Sequence, residues 1–389
     1  LAIKMLNLKI PLVKKMKAHL KSKNFSWDPN SKFKEIYFDK PIGYIFQKKT
    51  GTTLVLNSKK NFFPNKDIFA IIKTELKGKY LVGYFSYEFN IKNSKGGYDA
   101  IFNIFSRQSE KPKTKNHTSP ILSNFLKSTN DKDFISSVKN AKKLIEKGEI
   151  YQINLTREFS YLSNKDNYRL FLDYFKNQPV EFGCYIEFFD HVIISGSMEL
   201  FLRRNKNTIT TKPIKGTAEN QTNSAKALDK DLKERAENLM IVDLMRNDLS
   251  RICKPGSVKV DKLFKKKKYS TLTQLESTVT GKLNKQTSLK EIFTNTMPPG
   301  SVTGTPKSRA IQIISKIESH RRGPYCGAVG YIKPNQDFCF SVGIRLSKIN
   351  EKKKLFFTGA GIVWDSVPHK ENAESHLKAK AFQNTLSSS

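Results

Sequence analysis

From Leu1 to about Phe105 the apolar residues come in short runs broken by turn formers, a pattern that predicts strands. Ile42-Gly43-Tyr44-Ile45-Phe46 and Tyr80-Leu81-Val82-Gly83-Tyr84-Phe85-Ser86-Tyr87 are the clearest. Ser106 to Pro120 is polar and poor in apolar residues, so it reads as a linker. Beyond it the period changes. Phe134, Val138, Ala141, Leu144 and Ile145 recur at helical spacing, with Asp131 or Asp133 placed to cap the start and Gly148 to end the helix. A strand then fits Ile150 to Phe159. Further strands fit Cys184 to Phe189, Val192 to Ser195, Thr208 to Thr211, Gly327 to Ile332, Phe338 to Leu346 and Lys354 to Thr358. Helices fit Ala225 to Ser250, Lys307 to Glu318 and Lys370 to Leu386.

Several of these strands follow one another through short turns, which predicts antiparallel pairing and an α+β rather than an α/β class. No internal repeat is visible. The linker divides the chain into a smaller amino-terminal region, 1–120, and a second domain, 121–389. With 389 residues and 38% hydrophobic content, the chain can bury a sizeable core without covalent staples.

Composition narrows the setting. Cys184, Cys253, Cys326 and Cys339 form no CxxC pair and no zinc-like spacing with His, and read as reduced thiols of a cytoplasmic protein. Leu1-Ala2-Ile3-Lys4-Met5 lacks the apolar run of a signal peptide, and no apolar stretch of about 20 residues follows, so no membrane span is expected. The formal charge of +34 is spread along the chain, with short runs at Lys265 to Lys268 and Lys352 to Lys354 that read as solvated turns. No zinc finger, basic zipper or aromatic-rich RNA-binding signature accompanies it, and no nucleic-acid partner is expected.

Three constellations could carry chemistry. Glu234 and Glu237 lie three residues apart, as do Glu371 and Glu374, with Lys378 four further on; each pair shares a helix face. Read singly, such pairs are ordinary solvated surface; read together, they suit a hard divalent cation such as magnesium. Pro298 to Ser308 is rich in Gly and Pro and precedes a helix in which Pro306 suits the first turn and Thr305 the cap. It is either a tight turn or an anion site at a helix amino terminus, and Lys307 does not follow Gly304 as a Walker motif requires. Gly359-Ala360-Gly361 lets backbone amides approach an anion closely. Lys215, in Lys212-Pro213-Ile214-Lys215-Gly216-Thr217, is either a surface turn residue or, if the strand end faces a cleft, an amine whose pKa burial lowers enough to make it a nucleophile.

Taken in order and spacing, these segments resemble the chorismate-utilising enzymes, a family that includes anthranilate, aminodeoxychorismate, isochorismate and salicylate synthases. The resemblance runs from about Phe134 to Phe382. It is carried by Gly148-Glu149-Ile150-Tyr151-Gln152-Ile153-Asn154-Leu155-Thr156, by Pro213 to Thr217, by Glu234 to Leu249, by Pro299 to Lys307, by Gly359 to Ile362, and by Asp365 to Pro368. It implies two mainly antiparallel sheets packed as a sandwich with helices outside. It further implies Glu237 and Glu374 as direct magnesium ligands, with Glu234 and Glu371 holding metal-bound waters. Tyr325 and Arg345 match positions that hold the enolpyruvyl carboxylate, while Ser301, Lys378, Gly359 and Gly361 match other substrate contacts. Glu199 matches the general acid, although Met198 stands where the family usually has proline; Gln274 replaces a histidine common near the ring.

Two positions separate reactions within that family. Gln152 stands where isochorismate and salicylate synthases have a lysine base, so water activation is not expected. Lys215 stands where aminodeoxychorismate synthases have lysine and anthranilate synthases alanine. The implied reaction is amination of chorismate at C4, with Lys215 as nucleophile, giving 4-amino-4-deoxychorismate for folate; anthranilate synthase component I is the alternative. No Gly-x-Cys-x-Gly elbow occurs, so ammonia is expected from a separate glutamine amidotransferase subunit.

Overall fold

Apolar and polar residues alternate along a strand, leaving each sheet a face that must be covered. Here two sheets cover each other. The computed structural model describes residues 16–24, 26–31, 33–91, 96–110, 121–220, 222–269 and 272–387. Within them lie a nine-stranded and a twelve-stranded sheet, and every strand pairing is antiparallel. The largest apolar cluster joins Leu20, Ile36 and Ile193 of the first sheet to Val82, Phe102 and Val329 of the second. A second cluster covers the outer face of the first sheet, where Phe171 and Tyr174 of the helix Asn167–Asn177 and Phe382 of the helix Pro368–Ser387 meet Phe159, Tyr161 and Phe356. The expected α+β sandwich with external helices is what the chain forms.

Segments from both sides of residue 120 enter both sheets. Lys17–Lys21 pairs with Phe182–Glu187, and Tyr80–Phe85 pairs with Ala328–Ile332. Of the expected linker, residues 111–120 lie outside the described residues, and the backbone N–H of Ser109 donates to the carbonyl of Tyr37 at 2.7 Å.

Several expected elements are corrected. The run read as one strand over Phe338 to Leu346 is two, Phe338–Val342 in the twelve-stranded sheet and Leu346–Asn350 in the nine-stranded one. Gly343-Ile344-Arg345 carries the chain across, and Arg345 adopts φ +47° there. The helix read over Ala225 to Ser250 is broken into Asn223–Ala227 and Leu232–Ser250, because Asp231 caps the second by accepting from the Glu234 N–H. Asn130, not Asp131 or Asp133, caps the helix Asp131–Glu146, and its side chain accepts from the Lys132 N–H. Thr305 caps nothing: it pairs with Gln152 in the short strand Gly304–Thr305, and the helix Lys307–Ile317 starts after Pro306 without a side-chain cap. The lysines read as turns at 265–268 belong to the strand Lys259–Lys268, and of the second run only Lys352 is in a turn. Lys354 is buried in the strand Lys353–Ile362, donates to Asn167 and is pushed down to about 8 by burial. Among the described residues no helix is long and apolar enough to cross a membrane.

Candidate active site

The chain crosses between the sheets twice at the same end of the sandwich, and each crossing delivers a polar side chain. Val192–Ser197 belongs to the first sheet and Leu200–Asn205 to the second, with Met198 and Glu199 between them. Gly343 to Arg345 is the other crossing. The two are stitched together: the Gly196 N–H donates to the Arg345 carbonyl at 3.0 Å and the Val342 N–H to the Glu199 carbonyl at 3.1 Å. A cavity of about 210 Å³ opens there, with Glu199, Lys215, Tyr325, Arg345 and Lys378 in its wall.

Glu199 is buried, and burial raises its pKa to about 7 against the opposing effects of the Ser301 hydroxyl, Lys215 and the Ile214 backbone N–H. Lys215 sits in the strand Ile214–Glu219, opposite Leu275 in register. Burial lowers its pKa, opposed by Glu237 and Glu199. One wall thus holds an acid that keeps its proton near neutrality and an amine that gives its proton up more readily. The sequence left Lys215 open between a surface turn and a cleft residue; the fold puts it on the cleft.

Tyr325 is buried and stacks on Phe357 with ring centroids 5.4 Å apart. Arg345, half-buried, donates to Gln178 at 3.1 Å. Ser301 lies in the tight turn Gly300–Val302, which reaches the cavity ahead of the helix at Lys307. Of the glycine-rich loop, then, the cavity wall takes Ser301 and Val302, while Lys307 turns away to pair with Asp248.

Gly359 and Gly361 keep the cavity open. The neighbouring strand ends with Leu346 opposite Phe357, so from Thr358 to Ile362 the backbone is paired, among the described residues, only with the strand Gln152–Ser163. A Cβ at Gly359 would lie 3.1 Å from the Tyr325 hydroxyl, and one at Gly361 3.3 Å from Lys215 Nζ and 3.0 Å from Gln152 Nε2. Lys378 donates to the Gly359 carbonyl at 2.8 Å and pairs with Glu374 at 2.7 Å. Gln152 lies behind Gly361 with 1% exposure, and Gln274 lines the cavity and donates to Thr217 at 3.2 Å.

Glu234 and Glu237 approach from the helix Leu232–Ser250, and Glu371 and Glu374 from Pro368–Ser387. Burial raises the pKa of Glu234, reinforced by Glu237; burial likewise raises Glu371, reinforced by Glu374 and Glu237. The carboxylates of the two helices therefore repel one another across the cavity edge, which a cation would relieve. Among the described residues, however, no three His, Cys, Asp or Glu side chains close into a ready-made metal cage. Magnesium retains waters and takes one or two carboxylates plus a substrate oxygen, so the donors present fit a hydrated ion of that kind and not an all-protein cage.

Asn154, Thr217 and Thr358 also line the cavity and were not singled out from the sequence. Asn154 carried a signal: Gln152, Asn154 and Thr156 are polar at every second position of a buried strand whose alternate positions are Ile153 and Leu155.

A family model described as chorismate binding enzyme matches residues 41–384. Anthranilate synthase component 1 of Saccharolobus solfataricus is 35% identical over 265 residues, 67% of this chain and 63% of that protein. Aminodeoxychorismate synthase component 1 of Bacillus subtilis is 36% identical over 259 residues, 65% of this chain and 55% of that one. The chain thus spans less than two thirds of the length of these relatives. Among solved structures, anthranilate synthase component I from Streptococcus pneumoniae superposes with a TM-score of 0.75 at 22% identity, covering 98% of this chain and 95% of that one, a likeness of fold.

Proposed function

The chain belongs to the chorismate binding enzyme family, and on that premise we propose that it aminates chorismate at C4 to give 4-amino-4-deoxychorismate, the precursor of 4-aminobenzoate and folate. The observation that carries the reading is Lys215 on the cavity wall, its pKa lowered by burial, in electrostatic reach of Glu199, whose pKa is raised to about 7. In the first half-reaction Lys215 Nζ bonds to C2 of the ring, the diene shifts, and the C4 hydroxyl takes the Glu199 proton and leaves as water. The amine proton displaced from Lys215 is released. Ammonia then bonds to C4, the diene shifts back, and the C2–nitrogen bond breaks as a proton lost from the new C4 ammonium passes to the departing Lys215 nitrogen; the proton released in the first half-reaction is matched by one that returns to Glu199. Water is a poor competitor because Gln152, an amide, cannot act as a base towards it.

Tyr325 and Arg345 would hold the enolpyruvyl carboxylate, with Ser301, Gln274, Lys378 and the backbone at Gly359 and Gly361 fixing the rest of the substrate. Glu237 and Glu374, with Glu234 and Glu371 through water, would hold magnesium. When bound, the ion grips the ring carboxylate and withdraws charge from the diene. Both curated relatives are named component 1, which supports a second component here, a glutamine amidotransferase that supplies the ammonia.

The test is product identity: the protein with chorismate, magnesium and ammonium at mildly alkaline pH, coupled to added aminodeoxychorismate lyase, is expected to yield 4-aminobenzoate. Anthranilate in its place would establish the second reading, anthranilate synthesis, which the name of the Saccharolobus relative favours.

A further inference from the structure

Arg322 does not line the cavity, yet three parts of the cavity wall hang from it. Its side chain is 1% exposed. Nε and Nη2 donate to the two oxygens of Glu318 at 2.8 and 2.7 Å, Nη1 donates to the Val302 carbonyl at 2.9 Å, and Nη2 donates to the Asn154 carbonyl at 2.6 Å. Val302 and Asn154 are both wall residues. The third part is Tyr325, whose N–H donates to the Arg322 carbonyl at 3.1 Å. From the far side the guanidinium lies over the ring of Tyr87 at 4.4 Å, and Glu88 accepts from the Arg322 N–H at 2.8 Å. Glu318 also accepts from the Thr156 N–H at 2.8 Å.

We propose that Arg322 is a positioning residue that fixes the spacing of the Gly300–Val302 turn, the strand at Asn154 and Tyr325, and so sets the width of the substrate-carboxylate side of the cavity. A planar fork is required for the first two, and by anchoring the main chain at Arg322 it fixes the carbonyl from which Tyr325 hangs. One guanidinium reaches a carboxylate edge-on and two carbonyls on separate segments at once; a lysine ammonium offers three donors from a single point and cannot span them. The choice of chorismate as the ligand below rests on the function proposed above.

The test compares Arg322→Lys and Glu318→Gln with the unaltered protein in equilibrium binding of chorismate with magnesium and without ammonia, in steady-state turnover, and in amide hydrogen exchange. Arg322→Lys is expected to raise the chorismate Kd about tenfold with kcat changed less than about threefold, and, combined with Tyr325→Phe, to raise it by less than the product of the single effects, as for residues acting through one contact. Exchange is expected to quicken at the Asn154 amide, which donates to the Thr303 carbonyl at 2.9 Å. A folded Arg322→Lys with unaltered Kd and unaltered exchange would overturn the proposal. If that variant does not fold, an unaltered Kd and exchange in Glu318→Gln overturn it. Should the unaltered protein itself fail to bind chorismate, the functional reading falls, and the exchange measurement alone still decides the role of Arg322.

Discussion

Glu199 and Lys215 are ordinary residue types made reactive by where two strand ends leave them. Replacing Lys215 with Ala is expected to lower 4-amino-4-deoxychorismate formation by at least about a thousandfold while chorismate binding persists. Mass spectrometry with chorismate and no ammonia should find an adduct on Lys215 in the unaltered protein only. The raised pKa of Glu199 has a second, independent consequence. Its folded value of about 7 lies above the ordinary 4.5, so the folded state keeps a proton that the unfolded chain releases. Stability is therefore full below pH 4.5, falls as pH rises towards 7 and is level above, a loss on the order of 3 kcal/mol. Glu199→Gln should gain stability over the unaltered protein by about that amount at pH 8 and by little at pH 4.5, measured by urea unfolding. A gain independent of pH would mean that Glu199 titrates normally. The same pKa places the alkaline limb of kcat/KM near pH 7, since the free enzyme's acid must be protonated to act. Much of this site was legible because its residues lie in contiguous motifs that match a family. Thr358 was not, since a small polar residue inside a strand looks like any ladder residue until the neighbouring strand stops at Leu346.

At the scale of elements, periodicity located strands and helices but not the points where the chain changes sheet. Phe338 to Leu346 keeps an apolar residue at every second position, as one continuous strand would, and nothing in that pattern says that Gly343 to Arg345 leaves one sheet for the other. Those crossings are where Glu199 and Arg345 are presented, so the pattern failed at the places that matter for function. The break before Leu232 was missed for a different reason: Asp231 competes for the Glu234 N–H and restarts a helix that propensity alone would continue. The helix Pro368–Ser387, which carries Glu371, Glu374 and Lys378, rests on the strand Gln152–Ser163 through Phe382 and is hydrogen-bonded to it by a fully buried side chain, Arg157. Its Nη1 donates to Asn372 at 2.7 Å and Ser375 at 3.2 Å, and its Nη2 to Asp131 at 2.6 Å. Arg157→Ala should cost about 3 kcal/mol in urea unfolding, because it leaves a cavity and strips these acceptors of their donor. Amide exchange should rise over 368–387 before it rises elsewhere. Uniform exchange would mean that the helix is anchored by Phe382 and its apolar neighbours alone.

At the scale of the whole molecule, the excess of lysine has a structural outlet. Among the described residues Lys259–Lys268 pairs only with Leu272–Lys282, and its mostly exposed lysines line a sheet edge, where like charge opposes pairing with another chain. The amino-terminal region has deeper consequences than its size suggests. Tyr80–Phe85 lies between Ala328–Ile332 and Ala100–Phe105 in the twelve-stranded sheet, and Lys17–Lys21 lies between Phe182–Glu187 and Glu35–Phe38 in the other. Removing residues 1–120 would bare two strand edges in the middle of the sandwich, along with the apolar surface that Val82, Phe85 and Phe102 now cover. It would also take away Tyr87 and Glu88 from behind Arg322. The fragment 121–389 is therefore expected to lack a cooperative thermal transition and a chorismate-binding signal, and the full chain to unfold in one step. Tryptophan fluorescence can follow it, because Trp27 is buried against Phe182 and Tyr331 across both sheets while Trp364 is 59% exposed. A blue-shifted Trp27 that reddens in the same step as the loss of far-ultraviolet circular dichroism would mark one cooperative unit. Two separated transitions, or a fragment 121–389 that unfolds cooperatively and binds chorismate, would show instead that the site stands without the amino-terminal strands.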